Sequence, residues 1–470
     1  METDDNKIGF IASGSTATYA YVLLIEGKED EVKEESFAYV IDRGDKVFGI
    51  LRSGRGVDEN LKTGGYSPGI AYAKKGLEPS SSRRSFSYIF SVIGRISEGD
   101  LKDNRLILVP GSSVYMTENN PFQNCSSGKP FPARHWEKPW SIPFDYSTIA
   151  QHFLIVGSTG SGKSFLARFV IFPLMQLAGY ACLVFDWHGF DYAPHVDKEH
   201  KMDISEIQFE ADVVARYVGY KARYFGFRAA ENTPYRTLRE TFESDDGWRQ
   251  KAPNEIIQWV TDKMAEIIGE KQWPRYQGAV ERGLAKLSES DWKKVLGKVS
   301  VSEVLAKVKE KKILVMDMSG FSDEEKLNVF YSIANEIKNM IGHGEKVDLA
   351  LIIDEAPQFA PYTPKPGIQK EVQELISDLA ATGRKYKLSL VLISQGLAGA
   401  IGIDPAIRRN LNTHFFGRLM PQDKMEVETM LEAHHISFEN ILRLEPGQFY
   451  FEGRGNPFPT PLLITFDVKE

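Results

Sequence analysis

The sequence predicts an α/β protein: a mostly parallel sheet with helices on both faces and an all-α insertion, preceded by a small N-terminal β-barrel. Three observations predict this. Over residues 8–114, short β-rich runs such as 19–25, 37–41 and 46–51 recur between Gly, Asp and Ser, the spacing of a small barrel or sandwich. After residue 144 the period changes, and apolar runs at 153–156, 181–185, 313–316, 349–353 and 388–393 alternate with helical patterns, as in a parallel sheet covered by helices. Between the second and third of these runs lies a charged, aromatic stretch whose apolar residues Ile256, Ile257, Val260, Met264 and Ile267 are spaced for a helix.

These patterns set the expected boundaries. Residues 1–116 form the barrel, with runs at 88–94 and 105–110 completing it. Residues 117–143 are rich in Pro, Asn, Ser and Gly and have no sustained period, which marks a linker. The sheet domain takes 144–203 and 311–442, and the helical insertion takes 204–310. A chain of 470 residues exceeds the size at which one core stops growing, so two or three domains are expected.

The net charge of −7 argues against a surface coated in positive charge. A ring or cleft can still concentrate basic residues, so a nucleic-acid partner is not excluded. Cys125 and Cys182 are too few and too far apart for a disulfide framework or a metal cluster, which suits a reducing interior. Residues 1–7 are acidic and polar and lack the layout of a signal peptide. The longest apolar stretch, 169–185, contains Pro173, Gln176 and Gly179, so it reads as a helix end, a turn and a strand and not as a membrane span. Cytoplasm is the default location.

The most specific motif is Gly157, Ser158, Thr159, Gly160, Ser161, Gly162, Lys163 and Ser164, set between an apolar run and a helical pattern. Glycines at 157, 160 and 162 let successive backbone N–H groups turn inward on phosphates, and Lys163 reaches the outer phosphate oxygens. Ser164 supplies a hydroxyl for Mg²⁺, and the helix that begins there adds its positive end. The run 349–353 ends in Asp354 and Glu355. In P-loop NTPases an Asp in this place holds Mg²⁺, and Glu355 is then the general base for the attacking water. The run 388–393 leads to Gln395, a polar side chain at a strand tip that suits either a sensor of the γ-phosphate or a solvent role. Just before that run, Arg384 is either an arginine finger given to a neighbouring subunit or part of a solvated basic turn; spacing does not separate the two.

Other candidates carry less. His188 follows a strand and reads as structural. His434 and His435 have no partners at metal-ligand spacing and read as surface or helix-end histidines. The mixture of Arg216, Tyr217, Tyr220, Tyr224, Phe225, Phe227 and Arg228 suits either a nucleic-acid backbone or amphipathic helix packing.

Taken in order, these elements resemble the HerA family of hexameric DNA-translocating ATPases, relatives of the FtsK DNA pumps in the RecA-like P-loop class. The resemblance rests on the β-rich residues 8–13 and 90–94, the P-loop, Asp186 to Gly189, Ile353 to Ala356, Gly383 to Tyr386 and Ile393 to Gln395. Asn412, Thr413, Arg418 and Asp423 follow, and 444–447 introduces a closing β segment over 443–470 that braces the subunit. It implies a RecA-like ATPase using ATP and Mg²⁺, with Lys163 and Ser164 on the nucleotide and metal and Asp354 on the metal. Glu355 is then the base, Gln395 the sensor and Arg384 a finger acting in trans. It further implies a homo-hexamer on double-stranded DNA with a nuclease partner of the NurA kind, serving DNA-end processing or repair. A pump for conjugation-like transfer or uptake, and an ATP-gated scaffold for a defence effector, are the competing readings. Two departures stand out. Phe190 intervenes before Asp191 and Tyr192, so no role is carried over to Asp191, and Lys387 replaces a family glycine after Tyr386, adding positive charge near a channel or subunit boundary.

Overall fold

The structure, a computed structural model, describes residues 6–58, 60–61, 68–77, 84–209, 211–227 and 232–468. The chain forms two compact units, one of Met1–Leu174, Gln395–Ala398 and Asn412–Glu470, the other of Met175–Ser394 and Gly399–Leu411.

In the first unit, strands Tyr19–Leu24, Lys7–Ile11, Ser113–Met116, Ser36–Asp42, Asp45–Asp58 and Arg84–Ser97 pair in that order. Pairing of the first with the last, from Tyr19 with Ser91 to Leu23 with Ser87, closes a six-stranded barrel. Alternate residues point inward, and Ile8, Ile11, Ala20, Val22, Ala38, Val40, Val47, Leu51, Phe90 and Val114 fill its core, as a closed antiparallel sheet requires. A side chain at Gly49 would lie 2.6 Å from the Phe90 ring, so the glycine makes room for the largest residue of this core. The run 105–110 is not a strand. Only Leu108 is buried there, while Leu106, Ile107 and Val109 are exposed; the Val109 N–H goes to the Asp42 carboxylate instead of a ladder, and Ser113–Met116 takes the expected place in the barrel.

The same unit carries a second sheet. Phe153–Val156 runs parallel to Thr413–Phe416, and Phe449–Gly453, Leu462–Thr465, Lys129–His135 and Ser141–Phe144 follow in antiparallel order. Two strands therefore lie in the stretch expected as a linker. Pro130 and Pro132 lie in the first of them, and Pro reads as a loop signal although edge positions and irregular ladders tolerate it. Phe144 stacks on Phe153 and Phe451 with ring centroids 5.9 and 5.7 Å away, which anchors these strands against the one that feeds the P-loop.

Barrel and C-terminal strands share a buried polar knot. Arg52, fully buried, pairs with Glu35 at 2.8 Å and donates to Thr460 Oγ1 at 2.6 Å and the Pro461 carbonyl at 2.5 Å. Tyr450 donates its hydroxyl to Glu35 at 3.2 Å.

In the second unit the strands Lys201–Asp203, Ile313–Asp317, Ala181–Asp186, Leu349–Ile353 and Leu388–Ser394 pair in that order, all parallel. The last three are buried along their whole length, as parallel strands under helices must be. Helices Asp323–Gly342 and Val301–Lys311 start with capping boxes, Ser322 with Glu325 and Ser300 with Glu303, which satisfy N–H groups at each helix start. The stretch 204–310 holds helices Ala211–Lys221, Thr233–Ser244, Pro253–Ile268, Trp273–Leu284 and Glu289–Val295. Ile256, Val260 and Met264 face its core and Ile257 and Ile267 are half-buried. Its ends meet where Ile207 bridges Val299. Among the described residues no helix is long and apolar enough to cross a membrane.

Removing one member of a buried ion pair strands the other, at a cost of about 3–5 kcal/mol. Arg52→Ala is expected to lose that much in urea unfolding of the full chain, whereas an exposed pair such as Lys102 with Glu98 should yield under ~1 kcal/mol.

Candidate functional site

The P-loop belongs to the first unit. The buried strand Phe153–Val156 turns at Gly157, and the helix starts at Lys163 with Gly162 at φ +96°. A side chain at Gly157 would lie 2.5 Å from Ser161 Oγ, and one at Gly162 would lie 3.0 Å from the Gly447 nitrogen. Both positions therefore demand glycine for want of space, and Gly162 for its backbone as well. Lys163 Nζ donates to the carbonyls of Gly157 at 2.7 Å and Ser158 at 3.3 Å, which sets the ammonium inside the curl of the loop. Neighbouring segments clamp the backbone: Gly417 N–H bonds the Val156 carbonyl, Ser158 N–H the Arg418 carbonyl, and Gly447 N–H the Ser161 carbonyl. Ser164 lies on the first helical turn, followed by a π turn over Ala167–Ile171. Pro173, which has no N–H and crowds the preceding turn, accounts for that irregularity. Glycine turn, lysine and helix N-terminus together make a cradle for a polyphosphate.

Gln395 stands beside this cradle. Its Oε1 accepts a hydrogen bond from Thr159 Oγ1 at 3.3 Å.

Carboxylates gather within the second unit. Register pairs Asp186 with Asp317 and Phe185 with Ile353, so Asp186, Asp317 and Asp354 all sit at the C-terminal ends of parallel strands, where open α/β sheets bind ligands. Asp186 is 0% exposed and accepts the N–H groups of Gly189, Tyr192 and Ala193, each at 2.9 Å. It thereby shapes the loop after its strand. Lys326 pins the same loop: buried, it donates to the Trp187 carbonyl at 2.8 Å, and burial lowers its pKa against the opposing charges of Asp323 and Asp186. The loop returns Asp191 to Asp354, and one oxygen from each of Asp186, Asp191 and Asp354 lies within 4.8 Å of the others. Burial, then the charges of Asp191 and Glu355, push the Asp354 carboxyl up to about 8. Such a group takes a proton or a cation to be neutral, and its oxygen-only donors fit Mg²⁺. Asp191, assigned no role from the sequence, thus belongs to the acidic group. The turn at Gly189, φ +74°, returns the chain despite the extra Phe190.

Glu355 adopts φ 49°, ψ 47° at the head of the short helix Ala356–Phe359. The left-handed conformation is costly for a residue with a side chain and concentrates at functional sites.

Arg384 lies elsewhere. It is exposed in the turn Gly383–Tyr386, and its guanidinium has no ion pair or hydrogen bond among the described residues. Leu349 pairs with Leu388 and Ile353 with Leu392, so Arg384 precedes its strand at the N-terminal ends of the parallel strands while Asp354 follows its own at the C-terminal ends. At ~3.3 Å per residue they stand roughly 15 Å or more apart along the strands. Arg384 is therefore remote from the Asp354 of its own chain.

His188 is exposed. The carbonyls of His434 and His435 accept bonds from Arg52 and Ser53, and the His435 ring meets Tyr19 edge-on. Both histidines hold structure. Arg216 pairs with Glu371 and Asp212 and Tyr217 is buried on Asp291 and Glu325, so packing explains this part of the aromatic and basic stretch; Arg228 lies outside the described residues.

Residues 137–337, which contain the P-loop and the Asp186 loop, match the family model described as the central domain of the helicase HerA. Among solved structures, VirB4 of Thermoanaerobacter pseudethanolicus is similar with TM-score 0.50 and 16% identity over 74% of this chain and 98% of that one. The plasmid coupling protein TrwB in complex with the GTP analogue GDPNP gives TM-score 0.47 and 16% identity over 73% and 96%. The likeness to VirB4 shows a shared fold. A search of curated proteins gives no match.

The raised carboxyl of Asp354 predicts a pH signature. Its folded value exceeds the unfolded one, so its stabilising contribution is complete below pH ~4 and is lost as pH rises through about 8. In chelator, Asp354→Asn should melt near the wild type at pH 4. Above that its advantage should widen, levelling off beyond pH 8; a difference constant with pH would contradict this.

Proposed function

We propose that the chain is an ATP hydrolase that assembles into a homo-hexameric ring and moves along double-stranded DNA, supporting DNA-end processing or repair with a nuclease partner of the NurA kind. The observation that carries this reading is the match of residues 137–337, the segment holding the P-loop, to the HerA central domain. The nuclease and the repair role rest on family resemblance alone.

In this reading Gly157, Ser158, Thr159, Gly160, Ser161 and Gly162 wrap their N–H groups around the phosphates of ATP, and Lys163 leaves the loop carbonyls for the outer phosphate oxygens. Ser164 and Asp354 would hold Mg²⁺, which when bound neutralises charge that develops on the phosphates. Glu355 takes the proton of the attacking water. Its neighbour Asp354 is fully buried whereas Glu355 is half-buried, which separates a metal-holding carboxylate from one that can meet water. Gln395, at hydrogen-bonding distance from Thr159, reads the γ-phosphate. Arg384, distant from its own Asp354, is a finger for the next subunit's site, which makes the ring a requirement of the chemistry.

Turnover measured with and without duplex DNA tests the reading. Duplex should stimulate the wild type, Glu355→Gln should lower kcat by about 10²-fold or more while still binding ATP, and sedimentation with ATP should show hexamers. A monomer with DNA-independent turnover would sink it. For the finger, mixing inactive Lys163→Ala and Arg384→Ala subunits should restore part of the turnover, because some interfaces then join an intact P-loop to an intact arginine. Mixed rings that stay inactive would assign Arg384 a structural role.

A further inference from the structure

Asp423 ends the turn Pro421–Asp423 and precedes the helix Lys424–Leu431. An aspartate there ordinarily caps the helix with its own carboxylate, yet this one makes no side-chain cap bond. It is 0% exposed and turns to the tetrapeptide Gln395–Ala398. Its Oδ1 accepts the N–H of Leu397 at 2.7 Å and of Ala398 at 3.1 Å. Its Oδ2 is buried without a hydrogen-bond partner among the described residues. Burying a carboxylate is expensive, and two charge-assisted bonds from neutral donors offset only part of the cost. A core position serving stability alone is better filled by an apolar residue.

What the carboxylate holds is the segment that carries Gln395. Side chains hold the tetrapeptide at both ends: Thr159 of the P-loop at Gln395 and Asp423 at Leu397 and Ala398. Ser394 adds a hydroxyl bond to the Ile401 carbonyl, which fixes the strand end before it. Without Asp423 two N–H groups lose their acceptor, and the backbone that aims the Gln395 amide loses its fixed direction. We infer that Asp423 is the positioning residue for Gln395, holding its amide in register with the P-loop so that it engages the terminal phosphate of a bound nucleoside triphosphate. The inference rests on the sensor reading of Gln395.

The test uses the full chain with ATP and duplex DNA and compares Asp423→Ala, Asp423→Asn, Gln395→Ala and the double alanine variant. Misplacing a catalytic group by about 1 Å costs up to ~10²-fold. Asp423→Ala is therefore expected to lower kcat at least tenfold, as Gln395→Ala does, while KM for ATP stays within about twofold. Asp423→Asn keeps the oxygen that accepts both N–H bonds and should recover most of kcat. The double variant should be no slower than Gln395→Ala alone, since a misaimed side chain that is absent has nothing more to lose. Should Asp423→Ala fail to fold, Asp423→Thr, whose hydroxyl is too short to serve both N–H groups, carries the same expectation.

Losses that multiply in the double variant, or a lower Tm with unchanged kcat, would overturn the inference and leave Asp423 a structural residue. If Gln395→Ala itself leaves kcat unchanged, the sensor reading falls and the inference with it. If Gln395→Ala is slow and Asp423→Ala is not, only the inference falls.

Discussion

Between Val156 and Lys163 the backbone must double back tightly enough for the lysine ammonium to meet the carbonyls of Gly157 and Ser158. That turn is the constraint on which the rest depends. It excludes side chains at Gly157 and Gly162, it needs a strand on one side and a helix on the other, and it needs outside support. The support comes from Arg418 and Gly447, whose backbones bond Ser158 and Ser161, so segments some 260 and 290 residues farther along the chain set the geometry of the loop. The closing strands Phe449–Gly453 and Leu462–Thr465 hold those segments in place and are tied in turn to the barrel by Arg52, Thr460 and Pro461.

The second unit solves a different problem, that of gathering negative charge in a dry place. Asp186 shapes the loop and takes three backbone N–H groups, and Lys326 secures the loop at Trp187. The result presents Asp191 to a buried Asp354 that resists ionising on its own. The left-handed Glu355 next to it is half-buried where Asp354 is buried, a difference that follows from burial and backbone and not from residue type.

Much of this was legible in the sequence, for physical reasons. The five apolar runs between 153 and 393 could be read because strands buried on both faces have little freedom in composition, and the P-loop because its spacing of glycines and lysine answers the demands of a tight phosphate-binding turn. The strands at Lys129–His135 and Ser141–Phe144 were hidden by prolines, which mark a loop in isolation but are tolerated in the irregular ladder between these two strands. The run 105–110 looked like a strand because it is apolar, although Leu106, Ile107 and Val109 are exposed. Asp191 and Asp423 could not be found by pattern, since their roles depend on hydrogen bonds that return the chain to a distant residue. The place of Arg384 at the strand end opposite Asp354 likewise needed the strand register, which no spacing discloses.

A ring motor must convert hydrolysis into movement, and movement is the property that no arrangement of side chains establishes by itself. The most direct measurement is displacement of a triplex-forming third strand from a long duplex by the wild-type protein. ATP should drive displacement, a non-hydrolysable analogue should not, and Glu355→Gln should be inactive. Hydrolysis that is stimulated by duplex yet never displaces the third strand would contradict the account.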